Sequence, residues 1–308
     1  MGVDRPRVGI DLGGTKIEGI VLNGDGRILE RLRRPAPRDN YEATLETVCE
    51  LVHDLESDYG KLPLGIGTPG TVSPATGRIK NANSTCLNGR LLRQDLERRL
   101  TRPVRLANDA NCFALSEAVD GAGANSRVVF GVILGTGVGG GVIVDRTPLT
   151  GINAIAGEWG HNPLPEPTDD ERPGPDCYCG KQGCIESWLS GPGIAADHAR
   201  ATGVSLTARE IGAADAPGAA DTLARYAHRL ARALAMVINV LDPDCIVLGG
   251  GLSKTEKLYE QVPELWGAWV FSDRVDTRLV RPVHGNSGGT RGAAWLWPLE
   301  PSATSDAW

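Results

Sequence analysis

The stretch Arg7-Val8-Gly9-Ile10-Asp11-Leu12-Gly13-Gly14-Thr15-Lys16-Ile17-Glu18-Gly19-Ile20-Val21-Leu22 decides the fold. Residues 7–11 form a short apolar run that ends in an acid and then in glycines, the mark of a strand entering a tight turn. Residues 17–22 read as a second strand and 28–33 as a third, a hairpin meander opening an α/β domain. The pattern returns later in the chain. An apolar run over 128–134 meets Gly135-Thr136-Gly137-Val138-Gly139-Gly140-Gly141, and a further strand is expected over 142–145. Strand, glycine turn and strand occurring twice predict two similar α/β halves with a cleft between them. Ligands of such folds sit outside the carboxyl ends of the strands, where both turns would lie.

The intervening segments fit that scheme. Residues 41–59 have helical spacing, with Leu45, Val48, Leu51, Val52 and Leu55 on one face. Residues 64–67 read as a strand running into Thr68-Pro69-Gly70, 91–100 as a helix and 104–108 as a strand, with Asp109 opening a helix to about Val119. A long amphipathic helix is predicted over 219–240, ended by Asp242-Pro243, followed by a buried strand over 245–248 that meets Gly249-Gly250-Gly251. Residues 257–270 and 288–297 look helical. The expected division is a first domain of residues 1–118 joined by the C-terminal segment 288–308, and a larger domain of residues 119–287.

The 308-residue chain has 32 Lys and Arg against 38 Asp and Glu, and its net charge of −6 offers no electrostatic footprint for nucleic acid or an anionic membrane. No apolar run reaches membrane-spanning length, and the opening Met1-Gly2-Val3-Asp4-Arg5-Pro6 lacks the apolar core of a signal peptide. Reduced cysteines that serve a metal fit the cytosol, so a cytoplasmic protein is expected.

Glu158-Trp159-Gly160-His161 precedes Cys177-Tyr178-Cys179-Gly180-Lys181-Gln182-Gly183-Cys184-Ile185-Glu186. His161, Cys177, Cys179 and Cys184 make a complete tetrahedral donor set for zinc, and such a closed site is structural. A redox dithiol is the alternative. The segment is crowded with Gly and Pro, can bury little apolar surface, and needs another source of order. Glu158 and Glu186 flank the metal set, which suggests a stapled loop holding polar groups against a polyhydroxylated substrate. Cys49, Cys86, Cys112 and Cys245 stand in apolar runs and read as core residues.

Asp11-Leu12-Gly13-Gly14-Thr15-Lys16 lacks the spacing of a P-loop and precedes no helix. Its glycines let backbone N–H groups approach an anion, while Thr15 adds a hydroxyl and Lys16 a charge. Alone such a hairpin is commonplace. Three glycine turns at strand ends, at Gly13–Gly14, Gly135–Gly137 and Gly249–Gly250, point together to one nucleotide, two turns on phosphates and the third beneath base and ribose. Asp109 is either a helix cap or, at the carboxyl end of a strand, a general base for an alcohol. Asp11 suits a magnesium shell. Asn81-Ala82-Asn83-Ser84 is either turn chemistry or a source of amide hydrogen bonds to sugar hydroxyls.

At these residues the chain resembles the ROK family of bacterial sugar kinases, with the actin-like ATPase (ribonuclease H-like) fold of duplicated α/β domains. The resemblance runs from about Val8 to Pro298. It implies phosphate loops at Asp11, Gly13, Gly14, Thr15 and Lys16 and at Gly135, Thr136 and Gly137, with an adenosine-side turn at Gly249 and Gly250. It implies Asp109 as the catalytic base beside Asn108, zinc on His161, Cys177, Cys179 and Cys184, and sugar contacts from Asn83, Asn108, Glu158, His161 and Glu186. ATP, Mg2+, structural Zn2+ and a hexose are then the expected ligands, and a homodimer the implied assembly. Lys80-Asn81-Ala82-Asn83-Ser84-Thr85, Gly160-His161-Asn162-Pro163-Leu164-Pro165 and Trp295-Leu296-Trp297-Pro298 resemble the fructokinase branch, implying phosphorylation of D-fructose at its 6-hydroxyl; glucose, mannose and N-acetylglucosamine kinases are the alternatives. Family members that regulate genes carry a helix-turn-helix ahead of the first loop, and the seven residues before Val8 are too few for one.

Overall fold

The computed structural model describes residues 5–213 and 215–298. The chain divides into two compact units, the first made of residues 5–121, Pro148–Ala156 and 286–298, the second of Ala122–Thr147 and Gly157–Gly285.

The first unit is built on β1 (Arg7–Leu12), β2 (Lys16–Leu22), β3 (Ile28–Pro35), α1 (Tyr41–Leu55), β4 (Leu64–Thr68), the small ribbon β5 (Thr71–Val72) and β6 (Ile79–Lys80), α2 (Leu92–Leu100), β7 (Arg105–Asn108) and α3 (Asp109–Asp120). Its sheet order is β3-β2-β1-β4-β7. β1, β2 and β3 form the expected antiparallel meander, and β4 and β7 add in parallel. α1 buries Leu45, Val48, Leu51, Val52 and Leu55, a 3.6-residue stripe that packs on Val8, Ile10 and Ile66 of the sheet. Asn40 caps it by accepting the Ala43 N–H. The helix stops at Leu55, short of the expected 59, because Glu56 to Gly60 turn away and Gly60 takes a positive φ.

The second unit repeats the plan. β8 (Val128–Leu134), β9 (Val138–Val144) and β10 (Thr147–Pro148) precede α4 (Ile185–Leu189), α5 (Gly191–Thr202), α6 (Ala208–Gly212), α7 (Ala219–Leu241), β11 (Cys245–Gly249), α8 (Lys257–Trp266) and β12 (Arg278–Val280). The sheet order β10-β9-β8-β11-β12 mirrors that of the first unit, with β8 and β9 antiparallel and β11 and β12 parallel to β8 and β11. α7 is the largest single contributor to the core, through Leu223, Tyr226, Leu230, Leu234 and Ile238 among others. Its arginines also enter the interior. Arg229 and Arg232 hold Glu171, and Arg225 and Arg229 hold Asp197 of α5, all but Arg225 nearly out of solvent.

The last helix among the described residues, α9 (Gly288–Trp295), belongs to the first unit. It lies on β1 and α3 at backbone distance: a Cβ on Gly9 would come within 2.7 Å of the Ala294 nitrogen, and one on Gly292 within 2.8 Å of the Cys112 Cα. The expected segment 288–308 continues past this helix, and residues 299–308 lie outside the described ones.

Three expectations are corrected. The run after Gly137 is strand rather than turn, since Gly139, Gly140 and Gly141 pair with Ile133, Val132 and Gly131 of β8. Bare backbone is needed there because a Cβ on Gly140 would meet the Gly157 carbonyl at 2.7 Å and the Trp159 ring at 2.8 Å. The helix expected over 257–270 ends at Trp266, and Ala268 and Trp269 continue as turns. Residues 148–156 pack with the first unit, where the Lys80 ammonium donates to the Asn153 carbonyl at 3.0 Å.

Candidate active site

In the first unit the expected residues gather at one edge of the sheet. Asp11, next to last in β1, is in register with Gly67 of β4, Gly67 is level with Ala107 of β7, and Asn108 and Asp109 follow directly. Parallel strands thus deliver both aspartates at their carboxyl ends, two strand spacings apart, or about 10 Å between strands. Asn108 is the N-cap of α3 and accepts the Ala110 N–H at 2.9 Å. Asp109 is the first residue of the helix rather than its cap, and its own Oδ1 accepts the same N–H at 2.8 Å. Asn108 Nδ2 donates to the Gly70 carbonyl at 3.1 Å, which ties the end of β7 to the turn after β4.

Asp11 is partly buried. That burial, followed by the charges of Asp109 and Glu18 and opposed by Lys16, pushes its carboxyl up from 3.8 to about 6. A carboxylate whose ionisation is opposed by burial and by a neighbouring acid is a natural seat for a hard divalent cation. The Gly13–Lys16 turn is closed by the Gly13 N–H donating to the Lys16 carbonyl, and Gly14, Thr15 and Lys16 are exposed. Its cation is engaged: the Lys16 ammonium lies 3.0 Å from Glu18, a buried carboxylate that also holds Arg33 at 2.6 Å. The turn therefore offers backbone and the Thr15 hydroxyl, and the charge expected of Lys16 is directed to Glu18. Asn83 is exposed on the segment after β6. Asn88 braces that segment with two hydrogen bonds to Ala82, and the Ser84 hydroxyl stands beside Gly14.

In the second unit the Gly135–Gly137 turn closes when the Gly135 N–H donates to the Gly137 carbonyl, and Thr136 is exposed at its tip. Gly249 ends β11 next to it, level with Ile133. Gly250 has a φ of +80°, and a side chain there would strike the Leu134 backbone, so only glycine fits. The second and third glycine turns therefore lie side by side.

The ligand atoms of His161, Cys177, Cys179 and Cys184 all lie within 4.8 Å of one another. The Cys177 sulfur is 3.6 Å from His161 Nδ1, and the Cys179 and Cys184 sulfurs are 3.6 Å apart. A tetrahedron with metal–sulfur distances of about 2.3 Å has edges of about 3.7 Å, so the donor set fits zinc in size and in chemistry. The remaining imidazole nitrogen has a partner: His161 Nε2 lies 3.0 Å from the Tyr178 hydroxyl, ring edge to ring face. With zinc held on Nδ1, Nε2 would carry the proton and donate to the Tyr178 oxygen. Tyr178 is largely exposed, and its hydroxyl is placed by the His161 contact. Burial of that hydroxyl, then the charges of Glu186, Cys177 and Glu158, push it up to about 12, so both expected carboxylates act on one spot.

Sequence reasoning missed Tyr178, although its place between two metal ligands was a usable signal. It also missed a second task for Glu186. Glu186 Oε2 accepts the Val138 N–H at 2.8 Å, directly after the Gly135–Gly137 turn, so this carboxylate, two residues past Cys184, also braces the glycine turn.

Comparison with known proteins bears on the whole arrangement. N-acetyl-D-glucosamine kinases of Shigella flexneri serotype 5b and Escherichia coli O1:K1 are 41% and 42% identical to the chain over 296 residues, covering 94% of it and 98% of each relative. These relatives are not fructokinases, so they give no support to the branch expected from Lys80–Thr85 and its companion segments. A ROK hexokinase from Thermus thermophilus superposes with a TM-score of 0.83 at 31% identity, covering 94% of this chain and 97% of that one. A ROK family glucokinase from Streptomyces griseus, solved with glucose and AMPPNP, gives 0.76 at 28% identity, covering 94% and 98%. The ROK family model matches residues 7–300, and on that extent of agreement the chain belongs to the ROK family.

Proposed function

We propose that the protein is an ATP-dependent sugar kinase that phosphorylates the 6-hydroxyl of a hexose, with N-acetyl-D-glucosamine as the preferred substrate and D-fructose, glucose and mannose as alternatives. The observation that carries the activity is the Asp11–Asp109 pair at the carboxyl edge of the first sheet, beside the Gly13–Lys16 turn. The order of the sugars rests on the relatives at 41–42% identity.

Asp109 accepts the proton of the 6-hydroxyl as its oxygen attacks the γ-phosphorus of ATP. A new P–O bond forms, the bond to the β-phosphate oxygen breaks, and ADP leaves. Asp11 would hold magnesium, whose chemistry there is neutralisation of phosphate charge. Backbone N–H groups of Gly13–Lys16 and Gly135–Gly137 bind phosphate oxygens, and Gly249–Gly250 presents bare backbone to the adenosine. Asn83, Asn108, Glu158, His161 and Glu186 bind sugar hydroxyls, carboxylates suiting the task because each oxygen accepts more than one hydrogen bond. The His161–Cys177–Cys179–Cys184 cluster would hold zinc, which organises this loop without entering the reaction.

A coupled ADP-release assay across N-acetyl-D-glucosamine, fructose, glucose and mannose tests the proposal. N-acetyl-D-glucosamine is expected to give the largest kcat/KM. A tenfold preference for fructose would return the protein to the fructokinase reading, and no ADP release with any hexose would refute the kinase reading.

A further inference from the structure

The segment that starts at Cys184 grips the second glycine turn at both ends. Glu186 Oε2 accepts the Val138 N–H at 2.8 Å on one side, and the Gly191 N–H donates to the Gly135 carbonyl at 2.7 Å on the other. The Ser190 N–H in turn donates to the Glu186 carbonyl at 3.1 Å, so both grips belong to one short stretch. The fit is close: a Cβ on Gly137 would lie 2.6 Å from Glu186 Oε2. A Gly-Thr-Gly turn is by itself among the freest stretches of backbone, and freedom that survives in the unbound protein must be lost when phosphate binds.

We propose that Glu186 is a positioning residue for the nucleotide, holding the Gly135–Gly137 turn in the shape that receives phosphate before the nucleotide arrives. This rests on reading that turn as a phosphate loop. It assigns Glu186 a role separate from any contact with sugar: Oε2 serves the turn, and Oε1 makes no hydrogen bond among the described residues. One carboxylate thus stands where the metal-stapled loop and the glycine turn meet.

The experiment measures Mg-AMPPNP binding to the full chain by calorimetry with no sugar present. Glu186→Ala is expected to weaken binding about tenfold, which is about 1.4 kcal/mol. Glu186→Gln keeps an acceptor for Val138 and is expected to return to within about threefold of the parent. Gly137→Ala, which forces the carboxylate aside, gives the same loss by a second route should Glu186→Ala fail to fold. Affinity of Glu186→Ala within twofold of the parent would overturn the proposal, as would a Gln variant as weak as Ala. If the parent protein itself binds no nucleotide, the phosphate-loop reading falls and the proposal falls with it.

Discussion

Replacing Asp11 by asparagine is expected to stabilise the ligand-free protein while abolishing its activity. The Asp11 carboxyl is pushed from 3.8 to about 6 by burial and by the Asp109 charge. A group that holds its proton more tightly when folded adds stability that is complete below about pH 4 and is lost as the pH rises through about 6. At pH 7 the ionised carboxylate therefore costs about 3 kcal/mol, at 1.36 kcal/mol per pH unit. Part of this is offset. The first turn of α9 lies against the carboxyl, where a Cβ on Gly289 would stand 3.1 Å from Asp11 Cγ, and a helix N-terminus favours an anion by about 0.3–1 kcal/mol. About 2 kcal/mol remains, which for a chain of this size corresponds to a gain of about 4–6 °C in the melting midpoint of Asp11→Asn. Melts followed by circular dichroism, in EDTA and without nucleotide, should show that gain at pH 7, about half of it at pH 5 and almost none at pH 4. A variant that melts at or below the parent at pH 7, or a gain that ignores pH, would show that the site does not store this strain.

Asp109→Asn should lower kcat by about 10²- to 10⁴-fold, the range for a lost general base, with hexose affinity by calorimetry nearly unchanged; parent-like turnover would remove Asp109 from that role. Cys179→Ser should lose its metal and melt at a lower temperature, and metal analysis showing a full complement of zinc in the variant would refute the proposed ligand set. Glu171→Ala removes the carboxylate that Arg229 and Arg232 share, 2.7 and 2.8 Å away, leaving Arg229 to Asp197 and Arg232 to the Glu166 carbonyl, and should cost about 2–3 kcal/mol in urea unfolding. An unchanged urea midpoint would mean that those guanidiniums find other partners.

The repeated architecture was legible because each half opens with a strand broken by glycines, a pattern that needs no knowledge of distant contacts. Asn108 and Asp109 were legible for a similar reason, since a polar pair at the junction of strand and helix is set by local chemistry. Longer-range facts were not. That Glu18 is a buried carboxylate shared by Lys16 and Arg33 depends on β3 bringing Arg33 opposite Glu18 of β2, a matter of strand register. The helices α4, α5 and α6 fill residues 185–212 without a strong apolar stripe. Their starts rest on caps at Ser190 and Thr207, and Pro192 at the head of α5 was the one overt sign. The glycines of β9 read as a turn because nothing local reveals that Gly157 and Trp159 will press against Gly140.

The seat of α9 on Gly9 of β1 and, through Gly292, on Cys112 of α3 has a consequence for synthesis. Strands β1 to β7 are translated before the second unit and stay uncovered on the α9 side until Gly288–Trp295 has been made. Nascent chains on the ribosome would therefore complete their second-made half before their first, and a stop codon ahead of Gly288 would leave a bare sheet for chaperones to shield.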